Sequence, residues 1–145
     1  MTLNEDEKKI FECFSEFFKA MYEWEKEAND LDDKDADEQL FPGWKLRSKK
    51  KRDEIFQRYL TDRKRAYSDP FSFEWPYKFE IELEEVTSIE IKNHQAHVYT
   101  IKSDPTDEDF KYERCFKFKK TKEKWLLDNI KIRFDLNEKW DSYVI

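Results

Sequence analysis

Glycine is nearly missing from this chain. Gly43 is the only one in 145 residues. Phosphate-cradling loops and dinucleotide fingerprints need clustered glycines, so that backbone can approach a phosphate, and neither can be built here. The prolines number four, so Asp, Asn, Ser and Lys must punctuate most loops. Cysteine is scarce as well. Cys13 and Cys115 stand alone and far apart, which fits neither a disulfide framework nor a zinc site. They are expected to be free thiols in a reducing compartment. No window approaches the roughly 18 apolar residues of a membrane-spanning helix. The N-terminal MTLNEDEKKIF lacks the apolar stretch of a signal peptide. These absences point to the cytoplasm, and no cofactor is expected.

Charge and aromatic rings are plentiful. Charged residues make up 43% of the chain and aromatics 17%, with 13 Phe, 7 Tyr and 5 Trp. A disordered chain would lack those rings. Residues 1–145 are expected to form one domain, with an aromatic core inside an ionic shell. A domain of this size buries roughly 70% of its unfolded surface. The net charge of −6 hides blocks: −9 over residues 1–44, +7 over 45–68, −8 over 69–109 and +4 over 110–145. Such blocks can attract oppositely charged partners, or neutralise one another on folding.

The clearest periodicity lies between Phe110 and Phe134. Phe110, Tyr112, Arg114, Phe116 and Phe118 fall on one side of an extended strand. Lys111, Glu113, Cys115, Lys117 and Lys119 fall on the other. After the polar run Lys119–Lys124 a second arm follows. Strict alternation puts Leu126, Asp128, Ile130, Ile132 and Phe134 on one face, and Trp125, Leu127 and Asn129 on the other. The two arms predict an antiparallel hairpin. The earlier part of the chain then serves to cover its apolar face.

At the N-terminus, Asn4 and Glu7 have the spacing of a capping box. Ile10, Phe11, Phe14, Phe17, Phe18, Met21, Tyr22 and Trp24 predict an aromatic-faced helix over about residues 5–28. Next comes an acidic run holding Asp30, Asp32, Asp33, Asp35, Asp37 and Glu38. It fits a loop or a short acidic helix, closed by the Pro42-Gly43 turn signal. The basic run Lys45–Arg52 resembles a nucleic-acid patch, but the solvated face of a second helix explains it better. That helix carries Ile55, Phe56, Tyr59 and Leu60 and is expected to end near Ser68, Asp69 and Pro70.

Tyr77, Phe79, Ile81 and Leu83 alternate with charged residues and predict a strand. It continues through Ile89 and Ile91 with a bulge near Thr87. Asn93-His94 marks a turn, and Val98–Ile101 make the next strand, with His97, Tyr99 and Ile101 on one side. Ser103–Asp109, with Asp104, Asp107, Glu108 and Asp109, reads as an acidic loop. Residues 137–145 read as a tail with a docked last strand. Helices segregated from a run of antiparallel strands make an α+β domain.

Catalytic machinery is not evident. His94 and His97 have a metal-ligand spacing, H-x-x-H, but no third ligand stands near, and half-exposed polar residues are the ordinary explanation. Asp128 fits a general base facing a pocket, or a salt bridge. Tyr22 and Tyr59 fit a cavity lining, or core rings with a hydroxyl at the rim.

The order of elements resembles the nuclear transport factor 2-like fold, a cone-shaped α+β domain with N-terminal helices packed on a curved antiparallel sheet. Lys124-Trp125-Leu126-Leu127-Asp128-Asn129-Ile130 is similar to its closing strand. Glu123-Lys124 stands where related domains often place Asp-Gly. The passage from Tyr59-Leu60-Thr61-Asp62 through Asp69-Pro70-Phe71 is also similar. Met21-Tyr22-Glu23-Trp24-Glu25 resembles the first helix of bacterial immunity proteins with this fold, which neutralise polymorphic or Rhs-type toxins. The resemblance implies a cytoplasmic protein that binds and occludes a cognate toxin domain without turnover. A basic, nuclease-type toxin would suit the acidic stretches. The partner contacts would be Asp30, Asp32, Asp33, Asp35, Asp37, Glu38, Asp104, Asp107, Glu108 and Asp109. The alternative it implies is a small-molecule binder or an isomerase- or dehydratase-like enzyme using a cavity lined by Tyr22, Tyr59, His97 and Asp128. A homodimer through the sheet follows by analogy. Binding to a membrane or to nucleic acid is not expected.

Overall fold

The computed structural model describes residues 3–33, 43–63, 78–104, 107–122, 124–134 and 138–143, without the side chains of 31–33, 107–110 and 143. Two helices, α1 (Glu5–Asp33) and α2 (Trp44–Tyr59), precede a 3-10 turn at Ile81–Leu83. Five strands follow: β1 (Glu84–Lys92), β2 (Gln95–Asp104), β3 (Asp107–Thr121), β4 (Lys124–Arg133) and β5 (Asp141–Tyr143). Neighbouring strands pair antiparallel in the order β1-β2-β3-β4-β5. This is the α+β arrangement that the sequence pattern predicts.

The capping box forms as expected. The Glu7 amide donates to Asn4 Oδ1 at 2.8 Å and the Asn4 amide donates to Glu7 Oε1 at 3.2 Å. Two of the helix's otherwise unpartnered amides are thereby satisfied. Trp125 Nε1 also donates to Asp6 Oδ1 at 3.2 Å, tying the helix start to β4. The helix then runs on to Asp33, beyond the predicted end near residue 28. Ile10, Phe14, Phe17, Phe18, Met21, Trp24 and Ala28 recur at helical spacing and are all buried. Each large one contributes about 1.5–3 kcal/mol by leaving water. That stripe is what holds so charged a helix onto the sheet.

Gly43, at φ 75°, turns the chain into α2. Trp24 Nε1 donates to the Ser48 carbonyl at 2.7 Å near the start of α2, and Phe17 packs edge-on against Tyr59 at its end, 6.3 Å between centroids. The helices therefore run antiparallel. The expected continuation of α2 to Ser68–Pro70 fails. The helix stops at Tyr59 because Leu60 turns extended and forms a parallel bridge with Leu127. The Thr61 amide then donates to the Leu127 carbonyl at 2.9 Å. Pairing with β4 outcompetes helical propensity there. Ser68, Asp69 and Pro70 lie outside the described residues.

Two strand expectations are also corrected. Ile81–Leu83 is a 3-10 turn, closed by the Leu83 amide donating to the Glu80 carbonyl at 3.0 Å. Pairing with β2 begins only at Glu84, opposite Lys102. Phe79 instead turns fully into the core, edge-on to Phe17 and Phe18 at 5.1 and 5.3 Å. Of Ser103–Asp109, expected as a loop, Ser103 and Asp104 belong to β2 and Asp107–Asp109 to β3, while Pro105 and Thr106 lie outside the described residues.

The bulge expected near Thr87 is present, as a register shift between Val86 and Ser88. Asn93 takes the left-handed conformation, φ 57°, in the expected turn. Lys122 does the same, at φ 50°, in the β3–β4 turn. A lysine there carries a conformational cost that glycine would avoid.

On β3, Arg114, Phe116 and Phe118 are buried on the helix-facing side, as the alternation predicts. On β4 it does not hold. The register shifts between Lys117, opposite Asn129, and Phe118, opposite Leu127, leaving Asp128 as an extra residue. Trp125, Leu127 and Ile130 therefore all reach the core, while Leu126 is only half-buried. The expected grouping of Leu126 with Ile130 is broken by one bulge. The predicted last strand is β5, with Tyr143 opposite Ile130.

Candidate functional site

Beyond Phe116 the aromatic packing gives way to charge. Arg114, fully buried on β3, pairs with Glu84 at the start of β1, across the intervening β2. Thr100 on β2 donates its hydroxyl to the second Glu84 oxygen at 2.6 Å. Arg114 Nη2 and Lys102 Nζ both donate to the Lys78 carbonyl, at 2.8 and 2.9 Å. The Lys78 amide in turn donates to Glu25 Oε2 at 3.2 Å. Two carboxylates and two cations from four elements thus meet inside the protein. The rings of Phe18, Phe79 and Phe116 lie 5.1–5.6 Å from the Arg114 guanidinium, in cation–π range.

Burial governs the titration of this cluster. It pushes the Glu25 carboxyl up to about 7, against the Lys78 amide and the nearby cations Lys78, Lys102 and Arg114. Burial, with the Arg114 charge beside it, pulls the Lys102 ammonium down to about 8, against Glu84, Glu25 and Glu80. Glu25 Oε1 has no hydrogen-bond partner among the described residues.

The four cavity candidates do not converge. Tyr22 lines a hollow of about 360 Å3 between α1 and the 3-10 turn, with Phe18, Phe79 and Ile81. Tyr59 borders another, of about 310 Å3, with Cys13 and Trp125. His97 lies on the opposite side of the sheet from the helices, with Tyr99, Cys115 and Trp140 around about 210 Å3. Asp128 closes a structural contact. Its carboxylate accepts the Thr61 hydroxyl at 2.7 Å and lies 3.5 Å from Lys119 Nζ and 3.6 Å from Arg63 Nη1. Burial raises its pKa, but the Thr61 hydroxyl and the Lys119 and Arg63 charges outweigh that and hold it below 3.8. A salt-bridged carboxylate with a lowered pKa is a weak general base. His94 sits exposed in the β1–β2 turn.

Of the acidic candidates, Asp30 is exposed near the end of α1. Asp32 and Asp33 belong to its last turn, which has no basic residue. Negative charge at a helix C-terminus opposes the helix dipole, so local helix stability does not explain it. Asp35, Asp37 and Glu38 lie outside the described residues. Asp104 ends β2, half-buried, and Asp107, Glu108 and Asp109 belong to β3. The basic run lies along α2. Lys45, Arg47, Lys49, Lys50 and Lys51 are exposed, and Lys51 pairs with Glu27 on α1 at 2.9 Å. Arg52 is buried against the Phe56 ring at 5.6 Å.

A family model described as NTF2 fold immunity protein matches residues 9–144. The chain belongs to that family. Neither a curated protein nor a solved structure matches the chain. The match begins within the first two turns of α1 and covers α2 and the five described strands, so the NTF2 fold immunity family is consistent with the two-helix, five-strand order.

Glu25, Glu84 and Lys102 were not among the site candidates that the sequence offered. One signal was legible. Arg114 occupies a position in an otherwise aromatic row on β3, and a cation there must be paired once buried. The other three come from segments remote in sequence, and no periodicity links them.

Proposed function

We propose that this protein is a cytoplasmic bacterial immunity protein of a polymorphic toxin system. It binds a cognate toxin domain one to one and occludes it without turnover. Membership of the NTF2 fold immunity family carries this reading. Charge supports it further. The −9 and −8 blocks suit a basic, nuclease-type toxin, because complementary charge speeds encounter and fixes orientation. The proposed contacts are Asp30, Asp32, Asp33, Asp35, Asp37 and Glu38, with Asp104, Asp107, Glu108 and Asp109. A homodimer through the sheet is compatible with this mechanism.

The test is survival. The C-terminal domain encoded immediately upstream is expressed with and without this protein, and the two are co-purified. Rescue together with a stable one-to-one complex is the expected result. No toxicity, or no complex, sinks the reading.

A second reading, ligand binding or isomerase- or dehydratase-like chemistry, has one observation in its favour. Glu25 and Lys102 are buried groups displaced toward neutral pH, as functional acids and bases often are. Against it, Phe14, Phe17, Phe18, Phe79, Phe116 and Phe118 fill the space between helices and sheet.

A further inference from the structure

We infer that the hollow between α1 and the 3-10 turn is the anchor pocket of the partner interface, taking an apolar side chain from a toxin segment that also carries lysine or arginine. This rests on the immunity reading and assigns the contact to a place outside the acidic runs. Ser15, Phe18, Lys19 and Tyr22 have the spacing of one helical face and form one wall. Phe79, Glu80, Ile81 and Glu82 form the other. The floor is firm, because Phe18 and Phe79 are fully buried and stack edge-on at 5.3 Å. At about 360 Å3 the hollow is at the small end of ligand sites, which run to about 1,000 Å3. That size suits one or two protruding side chains.

Ile81 stands at its edge with 46% of its surface exposed. It borders the hollow beside the buried rings of Phe18 and Phe79. The 3-10 hydrogen bond from the Leu83 amide to Glu80 holds this edge in place before any partner arrives. Glu80, Glu82 and Lys19 bring two carboxylates against one ammonium. The complementary surface is apolar and flanked by cations. Preformed apolar pockets with a polar rim are where interface energy concentrates.

The experiment measures affinity and association rate of the full-length protein for its cognate toxin domain, by surface-immobilised kinetics at two salt concentrations. Ile81→Arg is expected to weaken binding at least about thirtyfold, the scale of a hot spot. It should leave the circular dichroism unchanged and shift the urea midpoint by no more than a surface substitution usually does, since Ile81 is exposed. Glu80→Lys with Glu82→Lys should slow association about tenfold and reduce its salt dependence, and this pair decides the matter should Ile81→Arg fail to fold. A wild-type complex that both variants leave intact overturns the pocket while sparing the immunity reading. An Asp30→Asn variant that loses binding in that case places the contact at the acidic run instead. Absence of any wild-type complex removes the immunity reading, and this inference with it.

Discussion

Arg114 on β3 and Glu84 on β1 form a fully buried ion pair across the strand that separates them, thirty residues apart in sequence. Removing one member strands the other's charge in the core, whereas replacing both with neutral groups does not. Arg114→Met is expected to destabilise the protein by about 3–5 kcal/mol. Adding Glu84→Gln should recover part of that loss. Urea titration of the two variants checks both statements. A double variant no more stable than the single one would refute the pairing as the source of the loss.

Glu25 and Lys102 predict an unusual pH profile. The Glu25 carboxyl is raised in the folded state from 4.5 to about 7, so the folded protein holds its proton more tightly than the unfolded chain. Stability should therefore fall as pH rises from about 4.5 to 7. The Lys102 ammonium is lowered from 10.5 to about 8, so folding favours its neutral form. Stability should rise again above pH 8, most cleanly below pH 9, above which ionisation of the unfolded chain's thiols opposes the rise, because burial holds Cys13 and Cys115 up at about 12 and about 11 in the folded state. Glu25→Gln is expected to flatten the first limb and Lys102→Met the second. Thermal melts from pH 4.5 to 9 report both, and parallel profiles for wild type and Glu25→Gln would contradict the first.

Asp128 links the end of α2 to the β4 bulge through Thr61. Asp128→Ala is expected to cost about 1–3 kcal/mol, the scale of a lost charged hydrogen bond. Thr61→Val should couple with it in a double-mutant cycle by more than about 0.5 kcal/mol. The Asp128 pKa is depressed in the folded state. Its contribution is present above pH 3.8 and lost as pH falls through the folded value.

The Asn4 cap is a simpler case. Asn4→Ala removes the acceptor for the Glu7 amide and should cost about 1 kcal/mol. Asn4→Ser should restore most of it. Equal urea midpoints for wild type and Asn4→Ala would show that the cap adds nothing.

Local chemistry made much of this protein legible in advance. The spacing of Phe14, Phe17, Phe18 and Met21 on α1 reads directly as a buried helical stripe, because side chains three and four apart share a face. Arg114, Phe116 and Phe118 on β3 read as one strand face for the same kind of reason, and Asn93-His94 reads as a turn. The sequence by itself therefore determined the order of helices and strands, the aromatic core and, through resemblance, the family.

Tertiary structure decided the rest. Residues around Ile81 alternate like a strand, yet they close a 3-10 turn, and pairing with β2 begins only where Glu84 meets Lys102. Leu60 leaves its helix because Leu127 accepts it. One extra residue at Asp128 moves Trp125 and Leu127 to the core side of β4, against a period-two count. Only folding brings Glu25, Glu84, Lys102 and Arg114 together. Their attraction and their shifted protonation depend on shared burial among segments remote in sequence, and local periodicity carries no record of that distance.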